Sequence, residues 1–89
     1  MLSPQNQINK DKVIIISLFK KPTIKNEYEV NELEQLINTL GGIVIDKVIQ
    51  YRNKIDSKFY IGKGKLNSIY NHAIEQKCQY LVFNNDISP

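Results

Sequence analysis

Lys12-Val13-Ile14-Ile15-Ile16-Ser17-Leu18-Phe19 decides the fold. Four β-branched residues stand in a row, without the apolar/polar alternation of a half-exposed strand. Such a run suits a strand covered on both faces, as in a parallel sheet. Beyond it, Lys20 to Lys25 is a basic loop containing Pro22. From Glu27 the period becomes helical, with Val30, Leu33, Ile37 and Leu40 on one face. Asn26 is the predicted cap of that helix, Glu27 and Glu29 suit its first turn, and Gly41-Gly42 ends it.

A second strand is predicted over Ile43–Tyr51, followed by a polar loop from Arg52 to Lys58. A short extended piece, Phe59-Tyr60-Ile61, then leads into a helix with Leu66, Ile69, Tyr70, Ala73 and Ile74 as its apolar positions. Lys77 to Gln79 turns into a last strand, Tyr80 to Phe83. The order β-α-β-α-β predicts a small three-layer α/β domain, a mainly parallel sheet flanked by helices. Residues 1–11 read as a polar lead-in and 12–89 as a single domain.

The 89 residues allow one modest core, burying about 60–65% of the unfolded surface. With 42% hydrophobic and 24% charged residues the chain is ordinary for a folded protein. The longest apolar runs have four residues, Val13 to Ile16 and Tyr80 to Phe83, far short of a membrane span. The N-terminus has no apolar stretch of the secretory kind. The single Cys78 cannot make an internal disulfide, which fits a cytoplasmic location, and beside an apolar strand it reads as a small buried or edge residue.

The densest chemical signal is Tyr60-Ile61-Gly62-Lys63-Gly64-Lys65, at the passage from strand to helix. Two glycines free the backbone amides, a helix N-terminus adds positive potential, and two lysines add full charges. The turn can receive phosphate, from a nucleotide or from an RNA backbone, or it is a tight connection with solvated lysines. It is not a nucleotide-hydrolysing loop: Phe59 stands where the first glycine is needed and Leu66 where the magnesium-binding hydroxyl is needed. Nor is it a dinucleotide fingerprint, because Asn67 replaces the third glycine.

In a parallel sheet the loops leaving the C-terminal ends of the strands gather on one edge. Here they are residues 20–26, 52–65 and 84–89, and they carry Lys20, Lys21, Lys25, Arg52, Lys54, Lys58, Lys63 and Lys65, eight of the twelve basic residues. Their acids are Asp56 and Asp86, while Glu27, Glu29, Glu32 and Glu34 gather on the first helix. The net charge of +3 therefore conceals a basic edge suited to a polyanion, against the plainer reading of ordinary surface lysines. Tyr51, Phe59 and Tyr60 flank it. No catalytic set is evident. His72 is the one histidine and reads as a half-buried or solvated helix residue, no Cys/His group suits a metal, and Asp46, Asp56 and Asp86 are single carboxylates. The chain alone does not read as an enzyme.

From Glu32 onward the motifs Glu32-Leu33, Leu36, Gly41-Gly42, Gln50-Tyr51-Arg52, Asp56, Tyr60-to-Lys65 and Asp86-Ile87-Ser88-Pro89 follow one another in a telling order. In that order and spacing the chain resembles the N-terminal domain of the HflX family of translational GTPases. Tyr60-Ile61-Gly62-Lys63-Gly64-Lys65-Leu66 is the most specific part of the match; the family often has two acids before its Ser-Pro segment, and here Asn84 and Asn85 precede the single Asp86. The resemblance implies a larger parent in which a helical hairpin and a G domain follow, with GTP and magnesium bound in that G domain and no cofactor in this piece. Ser88-Pro89 is itself a helix-start signal.

The implied partners are the large ribosomal subunit through its RNA and the parent's own G domain. The implied role is ribosome binding and regulation, with Gly62, Lys63, Gly64 and Lys65 meeting phosphate and Arg52, Lys54 and Lys58 extending the surface. The alternatives are a nucleotide-binding module using the Gly62–Lys65 turn and a structural domain that tunes the G domain. An exposed sheet edge would also let the piece form a homodimer.

Overall fold

A computed structural model describes residues 10–51 and 62–85. Three strands, β1 (Asp11–Phe19), β2 (Gly42–Tyr51) and β3 (Tyr80–Asn85), form one sheet in the order β2-β1-β3, and both pairings are parallel. Helix α1 (Ile24–Thr39) links β1 to β2, and α2 (Lys63–Glu75) precedes β3. The expected three-layer α/β architecture is present.

The apolar run sits where its composition demands. Val13 to Ser17 and Phe19 are all buried, because β1 is the middle strand and has a helix on each face. Val13 and Ile15 pack with Ile37 of α1, while Ile14 and Ile16 pack with Ile69 and Ala73 of α2. Alternation along β1 thus feeds two cores, one per face. The N-terminal end of β1 is tied to the turn before β3: the Lys12 N–H donates to Gln79 Oε1 at 2.7 Å, and the Gln79 N–H donates to the Lys12 carbonyl at 3.0 Å.

Three expectations need correction. Asn26 does not cap α1. Thr23 does, its Oγ1 accepting the Asn26 N–H at 3.0 Å, and the helix starts three residues earlier than the periodicity indicates. Leu40 is not a core residue; it lies at the helix C-cap and is exposed. Of the apolar positions on the second helix only Ile69 and Ala73 are buried, since Leu66, Tyr70 and Ile74 turn away from the sheet. Gly41 does take a positive φ of 98° after the helix, the backbone state that lets the chain leave α1 and enter β2 at Gly42. The extended piece Phe59-Tyr60-Ile61 lies outside the described residues.

Along β2 the pairing with β1 slips by one residue: Val13 faces Val44, but Ile14 faces Asp46. Ile45 is the extra residue of a β-bulge. The bulge resets the alternation, so Ile45 and Val48 pack with the α2-side core while Val44 packs with the α1-side core. Asp46 comes to α2, and Lys47 to the α1 side, where its ammonium meets Glu34 Oε1 at 2.7 Å.

Candidate nucleic-acid interface

Parallel strands end together, so Phe19, Tyr51 and Asn85 mark one edge of the sheet, and both helices, which run back, begin there. The start of α2 is the unusual part. Gly62 is its N-cap, at φ −57° and ψ 149°, and supplies no side-chain cap. The first helical bond runs from the Leu66 N–H to the Gly62 carbonyl at 2.9 Å. The N–H groups of Lys63, Gly64 and Lys65 therefore precede the ladder and have no intrahelical partner. No acidic residue occupies this first turn; two lysines do. Cations at a helix N-terminus oppose the macrodipole, so this arrangement costs helix stability and concentrates positive potential at one point.

The glycines sharpen the contrast. Neither Gly62 nor Gly64 has a positive φ, and a Cβ built on either meets nothing within 4 Å. Folding does not demand glycine at these positions. What glycine leaves there is open space over uncapped amides. Gly42 is the opposite case, since a Cβ there would lie 2.7 Å from Ile37 Cγ2.

The same edge carries the segment between β1 and α1. Lys20, Lys21 and Lys25 are exposed, and the path of this segment is held by Asn26, whose buried amide Nδ2 donates to the Lys21 carbonyl at 3.0 Å. Lys25 belongs to the first turn of α1, not to a loop, and Glu27 in that turn brings one carboxylate to the edge. A groove of about 490 Å³ opens here between α1 and β2, lined by Phe19, Pro22, Thr23, Ile24, Ile49 and Tyr51 among the described residues. Tyr51, exposed at the end of β2, offers an aromatic face; Phe19 is buried and does not. Among the predicted site residues the structure unites Gly62, Lys63, Gly64 and Lys65 in one helical turn. Arg52, Lys54 and Lys58 lie outside the described residues.

One pairing was not visible in the sequence. Asp46, which spacing left without a partner, has its Oδ2 3.8 Å from His72 Nε2, and its Oδ1 accepts the Lys47 N–H at 2.8 Å. These residues share a shallow depression of about 170 Å³ with Lys65 and Ser68. Twenty-six positions separate Asp46 from His72, and only the Ile45 bulge brings them together, so no local pattern signals it. Cys78 is half-buried, its Sγ 3.2 Å from the carbonyls of Lys12 and Tyr80, a packing position in keeping with the sequence reading.

In the sequence Leu66 stands where a magnesium-binding loop carries its hydroxyl, and no group of three or more His, Cys, Asp or Glu side chains suited to a metal occurs among the described residues. No helix among them is long and apolar enough to cross a membrane.

Fold and edge together define a small parallel α/β domain with an uncapped, lysine-bearing helix start at the carboxyl end of its sheet. Residues 27–89 match the family model described as GTP-binding GTPase N-terminal, and the chain belongs to that family. It is 31% identical over 80 residues to a protein of Lacrimispora saccharolytica named GTPase HflX, a match covering 90% of this chain and 19% of that protein. A GTPase HflX of Alkalihalophilus pseudofirmus is 33% identical over 61 residues, 68% of this chain and 14% of its own length. One of Caldanaerobacter subterraneus subsp. tengcongensis is 29% identical over 80 residues, 90% and 18% respectively. The chain thus spans about a fifth or less of these relatives. No solved structure matches it significantly.

Proposed function

We propose that residues 1–89 form the N-terminal ribosome-binding and regulatory domain of an HflX-type GTPase, docking on RNA of the large subunit through the carboxyl edge of the sheet. GTP and magnesium belong to a G domain outside these residues, and the domain itself performs no hydrolysis. The observation that carries the reading is the start of α2. Its uncapped amides, two lysines and two glycines make a poor helix beginning and a good phosphate receptor. Lys63 and Lys65 would neutralise phosphate charge while the amides of Lys63 and Gly64 donate to phosphate oxygens. Lys20, Lys21 and Lys25 extend the field along the edge, and Arg52, Lys54 and Lys58 complete the basic set read from the sequence.

The test is sedimentation of residues 1–89 with purified large and small subunits across a salt series. Selective pelleting with the large subunit that weakens as salt rises is expected. Replacing both lysines (Lys63→Gln, Lys65→Gln) should weaken binding and lower the log–log salt slope by about 1.4–1.8, since each phosphate contact contributes roughly 0.7–0.9. Unchanged affinity in a folded double variant refutes the site. No pelleting at low salt refutes independent docking. The nucleotide-binding alternative uses the same turn and predicts instead a rise in melting temperature with millimolar ATP or GTP, about 2.7 kcal/mol of stabilisation at a hundred times the dissociation constant.

A further inference from the structure

The two ends of α2 are built differently. Its start has no side-chain cap, whereas Lys12 of β1 reaches the turn beyond its other end. The Lys12 ammonium donates to the Gln76 carbonyl at 3.0 Å, the Lys12 N–H donates to Gln79 Oε1 at 2.7 Å, and the Lys12 carbonyl accepts the Gln79 N–H at 3.0 Å. Inside the turn the Cys78 N–H donates to the Ala73 carbonyl at 2.8 Å and the Lys77 N–H to the Ile74 carbonyl at 3.1 Å, a helix closure that usually carries glycine at its left-handed position. Here Lys77 holds that position at φ 57°, the one non-glycine residue with a positive φ among the described residues. A side chain is disfavoured in that backbone state and persists where the surroundings fix it. Lys12 supplies that fixing, and a cation on the last carbonyls suits the macrodipole that Lys63 and Lys65 oppose at the start.

We propose that Lys12 is a positioning residue for the phosphate turn: it clamps α2 from the far end, and without it the helix forms only when an anion occupies its start. The proposal rests on the reading of that start as a phosphate receptor. The 13 residues of α2, at about 1.5 Å each, put ~20 Å between the turn and the clamp, more than two screening lengths of roughly 8 Å at physiological salt. Lys12 therefore does not act on a bound phosphate as a charge; it acts by keeping the helix formed. The helix needs such help. It has Gly64 in its first turn and Asn67, Ser68, Asn71 and His72 among its residues, none a strong helix former, and an isolated helix of this length is marginal in water. An anion at the start and Lys12 at the end stabilise the same element, so each matters more when the other is missing.

The experiment is amide hydrogen exchange of residues 1–89, as wild type, Lys12→Met and Lys12→Arg, with and without tripolyphosphate. In Lys12→Met the amides of residues 66–76 should lose protection by about tenfold or more while those of residues 13–18 in β1 keep theirs, a local opening of α2 alone. Lys12→Arg should restore the helix, and tripolyphosphate should restore it in Lys12→Met. The affinity of Lys12→Met for tripolyphosphate should fall several-fold, because only the fraction with α2 formed binds, at an unchanged salt slope, because no phosphate contact is lost. Should Lys12→Met fail to fold, the same change is made in a Lys77→Gly background, which relieves the left-handed backbone and stabilises the turn. Equal loss of protection in β1 and α2 overturns the proposal, and so does a lowered salt slope or an α2 indifferent to Lys12. Wild type that binds tripolyphosphate, beside a Lys12→Met whose helix the anion leaves open, overturns the coupling alone. Wild type that does not bind it at low salt refutes the phosphate reading, and the positioning role with it.

Discussion

Replacing Gly64 by alanine should stabilise the domain and weaken the proposed docking on RNA, two effects of opposite sign from one methyl group. Gly64 is the second residue of α2, has ordinary φ, and its Cβ would enter open space. Nothing in the fold resists the change, while alanine narrows the unfolded ensemble and favours the helix. In a helix interior the gain approaches about 1 kcal/mol; in the first turn, where fewer bonds depend on the residue, about 0.5 kcal/mol is the better figure. Unfolding entropy of about 2.1 cal/mol/K per residue gives ~0.19 kcal/mol/K for the chain, so the melting temperature should rise by about 3 °C.

Binding should move the other way. If a phosphate seats against the Gly64 amide, a methyl group beside that amide obstructs it, and a charge-assisted hydrogen bond is worth about 1.5–3 kcal/mol. A roughly tenfold or larger loss of affinity in the sedimentation assay is then expected. A fall in melting temperature would show that the fold does need glycine there. A stabilised variant that binds RNA normally would refute close approach at Gly64 and leave the lysines as point charges.

Other expectations follow from particular contacts. Gly62→Asp supplies the missing cap and a favourable charge at the α2 start, so it should raise stability by about 0.5–1 kcal/mol in thermal melts while abolishing polyanion binding. Gly42→Ala drives a Cβ to 2.7 Å from Ile37 Cγ2 and should cost about 1–3 kcal/mol in urea unfolding, with little effect on any edge function. Ser17 is fully buried in β1 and its hydroxyl has no partner among the described residues, so Ser17→Ala should raise the melting temperature, and a drop would reveal a hydrogen bond to that hydroxyl. Thr23→Ala removes the α1 cap and should cost about 1 kcal/mol, read as a lower urea midpoint at unchanged slope.

How much of this was legible depended on the range of the interaction. The run from Val13 to Ile16 and Phe19 announced a doubly covered strand because burial on both faces leaves a composition that no neighbour can disguise. The start of α1 was misplaced because Thr23 and Asn26 can both cap. The choice went to Thr23 once the Asn26 amide was committed to the Lys21 carbonyl, a contact no propensity encodes. Leu40 kept the helical period but falls at the C-cap, beyond the cover of the sheet. The Asp46–His72 pairing was out of reach, since a one-residue bulge inverts the facing that strict alternation assigns to β2 from Asp46 onward.

The start of α2 stands out in the sequence for a different reason. At the start of α2 local preference and local chemistry disagree. A helix that served only the fold would begin with a serine or aspartate cap and acidic first-turn residues, and would exclude glycine from its second position. This one begins Gly62-Lys63-Gly64-Lys65, and the structure reveals no steric reason for either glycine. On the proposed reading, an anion at the uncapped amides would satisfy all four residues at once. Lys20, Lys21 and Lys25 reach the same edge only because β1 and β2 are parallel. The buried run that determines the topology therefore also determines which lysines can act together.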